Sequence, residues 1–425
     1  MQIPSISASG FLNPNTMSDE DWLNVKFECE QVFTPGTAIK THDLFAGRSG
    51  QILKLTQRIR APGSHAIVYG ERGVGKSSLV NVFKYIANQN AERIQYVRVA
   101  GVAGDNFTSL FMKIFKRISA INPDGSKRRV SDYYEGKTIT SDDVLLEFEK
   151  FSEAATPIIV IDEFDKITNR NVKEEVAETV KLVSDESANV TFFIVGIADT
   201  VADLIEGHES IDRAVAQVEM PRMNDQEIIE VIHPRIKSLG FKVTEDALWD
   251  CVFLSKGLPF YAHLLGLHAC QFACDRKTVL IDSAMIRGAR STAINESNST
   301  IRTNFDDAIH SERKENIFFP VLLACALATK DPSGRFLATD VAKVLSDIVG
   351  KEYGVPAFSY HLDQFATHER GRMLEKLGTV RQFRFRFREA LTEPYIILKG
   401  KETGLLTEEI EKKYGPTRQP DLFST

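Results

Sequence analysis

A chain of 425 residues, 43% hydrophobic and 26% charged, can bury large cores, and at roughly 100–200 residues per domain it predicts two to four of them. Its 52 basic and 58 acidic residues leave a net charge of −6, which argues against a protein that coats nucleic acid generally and leaves only a local basic patch open. The longest apolar run, 317–328, falls far short of the ~20 residues that span a bilayer. The opening MQIPSISASG also lacks the basic start and apolar stretch of a secretory signal, so a cytoplasmic location with no membrane partner is expected. Five cysteines without a CxxC pair predict neither a disulfide framework nor a zinc ribbon. Cys270 and Cys274, with His263 and His268 nearby, read as the packing of a buried helix rather than as metal ligands.

Residues 1–40 hold one helical candidate, SDEDWLNVKFECEQVF, in an otherwise Pro-, Ser- and Asn-rich stretch, and read as a peripheral arm. From 41 to 222 the pattern changes. Apolar runs at 65–69, 93–100, 157–162, 190–195 and 215–220 alternate with helical stretches, which predicts an α/β core with a five-stranded parallel sheet covered on both faces. Residues 223–296 read as helices, with Gly240 and Gly257 as stops. A polar stretch, 295–307, reads as a link to a last domain, 297–400, and a tail follows at 401–425. In that domain three helical segments precede Leu374–Leu377, a GT turn and Phe383, Phe385 and Phe387 alternating with Arg384, Arg386 and Arg388. The order predicts a winged helix whose hairpin has one apolar and one cationic face.

Within the core, YGERGVGKSS (69–78) follows an apolar strand and opens an amphipathic helix. Gly70, Gly73 and Gly75 let backbone N–H groups, including those around Val74 and Ser78, turn onto phosphates; Lys76 reaches the terminal phosphates of a nucleotide and Ser77 ligates Mg2+. In IIVIDEFDKI, Asp162 at a strand end is placed to hold Mg2+ through water, and Glu163 to orient or deprotonate the attacking water. The competing reading is an acidic strand end with Asp165 as helix cap. A third strand runs into GIADT, where Asp199, or Thr200 in its stead, either senses the γ-phosphate or caps the next helix. Arg213 either projects into a neighbouring subunit's nucleotide or pairs locally with Asp212 or Glu209.

Taken in order, LFAGRSGQILKL, GERGVGKSS, VIDEFDK, GIADT, Arg213 and a helical segment opening MPRMNDQE resemble an AAA+ ATPase over 41–290, and with the winged helix to about 400. The likeness is strongest to the initiator branch, which holds origin-recognition ATPases and the ATPase regulators of transposition. It implies ATP held between core and helical lid, Phe45, Ala46, Gly47 and Arg48 over the adenine, ring or filament self-assembly, and nucleotide-controlled holding of DNA or a protein partner. Two positions depart from it: Asp199 stands where initiators often carry Asn, and Phe260 where a second-sensor arginine is expected, with Lys256 or His263 as substitutes. The lid motif GLP resembles signalling ATPases of the STAND type, in which the proline, here Pro259, touches nucleotide; Pro259 is equally explained as a first-turn proline.

Two outputs follow. In the preferred one the ATPase assembles on DNA or a DNA-associated complex, with contacts from the insertion 122–143 and from 369–388, where seven basic and two acidic residues leave a net +5. Against it, PAFSYHLDQFATHE in the recognition-helix position carries Asp363 and Glu369 and no arginine or lysine. In the other output an ATP-driven switch activates a separate effector protein, as in signalling or antiviral defence.

Overall fold

Five apolar runs form one parallel sheet: β1 (His65–Gly70), β2 (Tyr96–Ala100), β3 (Ile158–Asp162), β4 (Thr191–Ile197) and β5 (Val215–Glu219), in the spatial order β2-β3-β4-β1-β5. This is the five-stranded α/β sheet expected from the sequence. The structure is a computed structural model and describes residues 11–35, 47–59, 63–88, 95–121, 127–151, 156–198, 200–205, 215–296, 299–312, 316–331, 334–378 and 383–415. The chain divides into two compact units, Ala38–Pro221 and Met1–Thr37 with Arg222–Thr425.

Parallel neighbours need crossovers, and here the crossovers carry the helices that bury both faces of the sheet. On one face Val99, Ile161, Phe192 and Ile194 share a core with the helices Phe107–Phe115, Ser141–Phe148 and Arg170–Asp185. Phe192 lies 5.7 Å from Phe148 and 6.3 Å from Phe111, ring to ring. On the other face Phe193 meets Phe83 of the helix Lys76–Asn88 at 5.4 Å. Every residue of β3 is therefore buried, which explains its uninterrupted apolar run. The insertion is less free than expected: Val130, Tyr134 and Ile139 belong to the same core, leaving Arg128 and Arg129 as exposed cations of a short hairpin, Ser119–Ile121 with Lys127–Arg129.

The second unit is mainly helical. Asp19–Val32, capped by Ser18, is packed rather than peripheral: Trp22, Val25 and Cys29 are buried, Phe33 is buried behind them, and Gly266 of the helix Pro259–Asp275 leaves the space that the Phe33 ring fills. Cys270 and Cys274 are buried beside Cys29, and His263 Nδ1 accepts from the Thr34 N–H at 3.2 Å, so these side chains serve packing. Most of the supposed link is the helix Ser299–Ile309, with Ile301, Phe305 and Ala308 buried at helical spacing. Polar neighbours masked that apolar stripe.

Further on, the helices Phe318–Leu327, Ala338–Val349 and Ser359–Gln364 precede an antiparallel hairpin, Leu374–Leu377 with Arg384–Phe387. Phe336 pairs with Phe385 as a third strand position, through bonds of 2.8 and 2.9 Å. Phe385 and Phe387 are buried as expected. The opposite face is not a free cationic surface: Arg384 pairs with Asp331 at 2.8 Å and Arg386 with its cross-strand neighbour Glu375 at 2.7 Å, while Lys376, directly across from Phe385 on the apolar side, pairs with Asp363 at 2.6 Å. Among the described residues no helix is long and apolar enough to cross a membrane.

Candidate functional site

The carboxyl ends of β1 and β3 lie on the same edge of the sheet, where open α/β sheets place their ligands. After β1 the backbone takes positive φ at Gly70 (144°), Gly73 (89°) and Gly75 (97°), conformations that a side chain would strain. A Cβ on Gly70 would lie 2.4 Å from the Met220 carbonyl oxygen, so this glycine is also required by close approach to the chain after β5. Val74 is buried and anchors the loop, and Ser77 and Ser78 sit in the first turn of Lys76–Asn88. That helix N-terminus favours negative charge.

Lys76 folds back into the loop and donates to the carbonyls of Gly70 (2.9 Å) and Glu71 (2.7 Å). Burial pushes its ammonium down to about 8, against the pull of Asp165, Asp162 and Glu71. A buried ammonium whose hydrogen-bond acceptors are carbonyls has unmet countercharge, and a phosphate supplies it. Ser77 Oγ lies 2.9 Å from Asp162 Oδ2, so the two oxygens expected to share Mg2+ are already side by side. This donor set of hydroxyl and carboxylate oxygens suits a hard cation, and the glycine cradle suits a triphosphate.

Glu163 adopts a left-handed conformation (φ 53°), and its N–H caps Asp162 Oδ1 at 2.8 Å. Its carboxylate is about half exposed and pairs with Lys166 at 2.8 Å. Asp165 does not cap the following helix, which Asn169 caps; instead its Oδ1 accepts from the Ile197 N–H at 2.8 Å, tying the end of β4 to the Asp162 turn. Thr200 is a helix N-cap, in a reciprocal capping box with Asp203. Asp199 and Arg213 lie outside the described residues.

Arg48 (φ 65°) is buried and donates to the carbonyls of Val74 (3.3 Å) and Pro221 (2.5 Å), bracing the loop. In the other unit Pro259 is the first residue of its helix, after left-handed Lys256 and Gly257. Gly257 is needed because a Cβ there would meet the Met223 carbonyl oxygen at 2.5 Å. Of the substitutes for a second-sensor arginine, His263 is excluded as a cation because burial pushes it down to about 3. Lys256 lies in the field of Glu393 within its own unit.

One residue beside the site was not read from the sequence. Arg98 of β2 pairs with Asp162 Oδ2 and donates to Asn81 Oδ1 at 2.8 Å. Its only sequence signal is an arginine inside an apolar strand.

The family model Novel STAND NTPase 1 matches residues 38–265, more than half of the chain. The chain belongs to this family. It is a P-loop NTPase with STAND features. Its fold is similar to that of the Walker-type ATPase PABY2304 of Pyrococcus abyssi (14% identity, 86% of this chain and 99% of that one, TM-score 0.54). Weaker likenesses are to the Aeropyrum pernix ORC1 protein in complex with DNA (12%, 90% and 97%, TM-score 0.47) and to Cdc6p from Pyrobaculum aerophilum (16%, 90% and 98%, TM-score 0.47). No curated protein matches the chain.

Proposed function

We propose that this STAND NTPase binds Mg2+ and ATP at the Lys76 loop, hydrolyses ATP, and uses the nucleotide state to switch its own assembly and engage a separate effector protein. The observation that carries the reading is the contact of Ser77 Oγ with Asp162 Oδ2 beside the buried Lys76. Lys76 would neutralise the terminal phosphates, Ser77 and Asp162 would hold the Mg2+, which would supply positive charge against the phosphates, and Glu163, on swinging away from Lys166, would orient the attacking water. Asp199 and Arg213 retain their candidate roles in sensing phosphate and in acting across subunits, whereas the Thr200 hydroxyl is taken up by its capping box with Asp203.

Family membership favours the switch over action on DNA, and the internal pairing of Arg384, Arg386 and Lys376 weakens the case for phosphate contacts through the hairpin. The exposed Arg128 and Arg129 keep a DNA-directed reading open to test. Particle mass and DNA binding, measured with and without a non-hydrolysable ATP analogue over a salt series, separate the two. Assembly without salt-sensitive DNA affinity supports the switch; association that weakens steeply as salt rises supports DNA. Glu163→Gln is expected to retain ATP and hold the assembled state, and unimpaired turnover in that variant removes Glu163 from its role.

A further inference from the structure

Arg98 belongs neither to the phosphate loop nor to the Asp-Glu pair, yet it occupies the carboxylate on which the metal depends. In the register of β2 against β3, Ala100 lies beside Asp162 and Arg98 beside Val160. Side chains two apart on a strand share a face, so Arg98 is a diagonal neighbour of Asp162. Its guanidinium spans the gap, with one nitrogen on Asp162 Oδ2 and the other on Asn81 Oδ1 of the helix that carries Lys76 and Ser77. Asp162 is thereby committed at both oxygens: Oδ2 to Ser77 and Arg98, Oδ1 to the Glu163 N–H.

The two partners differ in access. The Asp162 side chain is 6% exposed and that of Arg98 35% exposed, so the acid is fixed in the interior while its cation reaches in from a wetter edge. A divalent ion placed between Ser77 and Asp162 meets this guanidinium at the same oxygen, with Lys76 close by. Added alone, it would bring two further positive charges beside two fixed cations, and such repulsion is strong where water is excluded. A triphosphate arriving with it supplies about four negative charges and reverses the balance.

We propose that Arg98 is a positioning residue that holds Asp162 oriented in the nucleotide-free protein and makes metal entry conditional on the triphosphate. The inference rests on the nucleotide reading of the Lys76 loop. Its prediction concerns the metal in the absence of nucleotide, so its failure and that of the nucleotide reading are distinguishable.

The test uses Mn2+ as the probe, since it accepts the same oxygen ligands and free Mn2+ is counted by electron paramagnetic resonance. Full-length protein without nucleotide is titrated as wild type, Arg98→Gln, Arg98→Lys and Asn81→Ala. Arg98→Gln is expected to tighten Mn2+ binding at least about tenfold, Arg98→Lys to leave it near wild type, and Asn81→Ala, which frees one end of the guanidinium, to shift it in the same direction by less. Unchanged or weaker Mn2+ binding in Arg98→Gln overturns the proposal. Should that variant not fold, Asn81→Ala decides: tightening supports and no change overturns. In parallel, a fluorescent ATP analogue is titrated into the wild type in EDTA. Absence of binding there and also with Mg2+ present sinks the nucleotide reading itself, whereas binding under either condition with a flat Mn2+ result sinks only the role of Arg98.

Discussion

Two buried carboxylates, one in each unit, face opposite fates. Asp162 is 4% exposed and ends β3, held by a hydroxyl, a backbone N–H and a single guanidinium that is itself part-exposed. Glu393 is 1% exposed in the first turn of the helix Thr392–Glu402, with Arg222 on one oxygen (2.7 Å) and Lys330 on the other (3.0 Å). Burial alone would raise the Glu393 carboxyl, but Arg222, Lys330 and Lys256 together hold it down at about 2. Burial in turn pushes Lys256 down to about 8, as expected where several cations share one anion. Glu393 is supplied with cations by its own unit on both oxygens, so it has no vacancy for a ligand. Asp162 has one cation, itself part-exposed, beside a hydroxyl suited to metal, and on the proposed reading that difference separates a structural ion cluster from a binding site.

The comparison breaks most visibly at Glu393. Glu393→Ala leaves Arg222 and Lys330 without their anion in the interior and is expected to cost about 3–5 kcal/mol in denaturant unfolding. A loss within experimental error would show that the cluster is solvated and that the contrast fails. The same group predicts acid behaviour. Its folded value lies below its unfolded one, so its contribution is fully present above about pH 4.5 and disappears as pH falls towards about 2.

A smaller effect sharpens the other half. In the free protein Lys76 loses its proton near pH 8, whereas bound phosphate stabilises the ammonium. Above pH 8 binding must therefore take up a proton, and nucleotide affinity is expected to fall by up to about tenfold per pH unit while remaining flat just below. Calorimetry in buffers of different ionisation enthalpy checks this directly, and proton release in that window would contradict it.

What was legible in the sequence was local. The glycine loop and IIVIDEFDK announce themselves because their residues act through neighbours along the chain, whereas Thr200 stood open between sensor and cap until its contact with Asp203 made it a cap. Arg98 was not legible, because its meaning depends on the pairing of β2 with β3 across 64 residues. The alternation of Phe and Arg correctly indicated a two-faced hairpin, but three of its cations find acids at Asp331, Asp363 and Glu375, which pattern alone does not bring together. The helix Ser299–Ile309 was hidden by composition, since three apolar residues sufficient for a buried stripe lie among eight others that look like a linker.

The central claim is that Ser77 and Asp162 together would hold the metal that accompanies a triphosphate on the Lys76 loop. It is tested most directly by titrating a fluorescent ATP analogue into wild type and Asp162→Asn, each with and without Mg2+. The account predicts binding by both proteins in EDTA, with Mg2+ strengthening it in the wild type alone. An equal Mg2+ response in the two proteins, or no binding by the wild type under either condition, would contradict it.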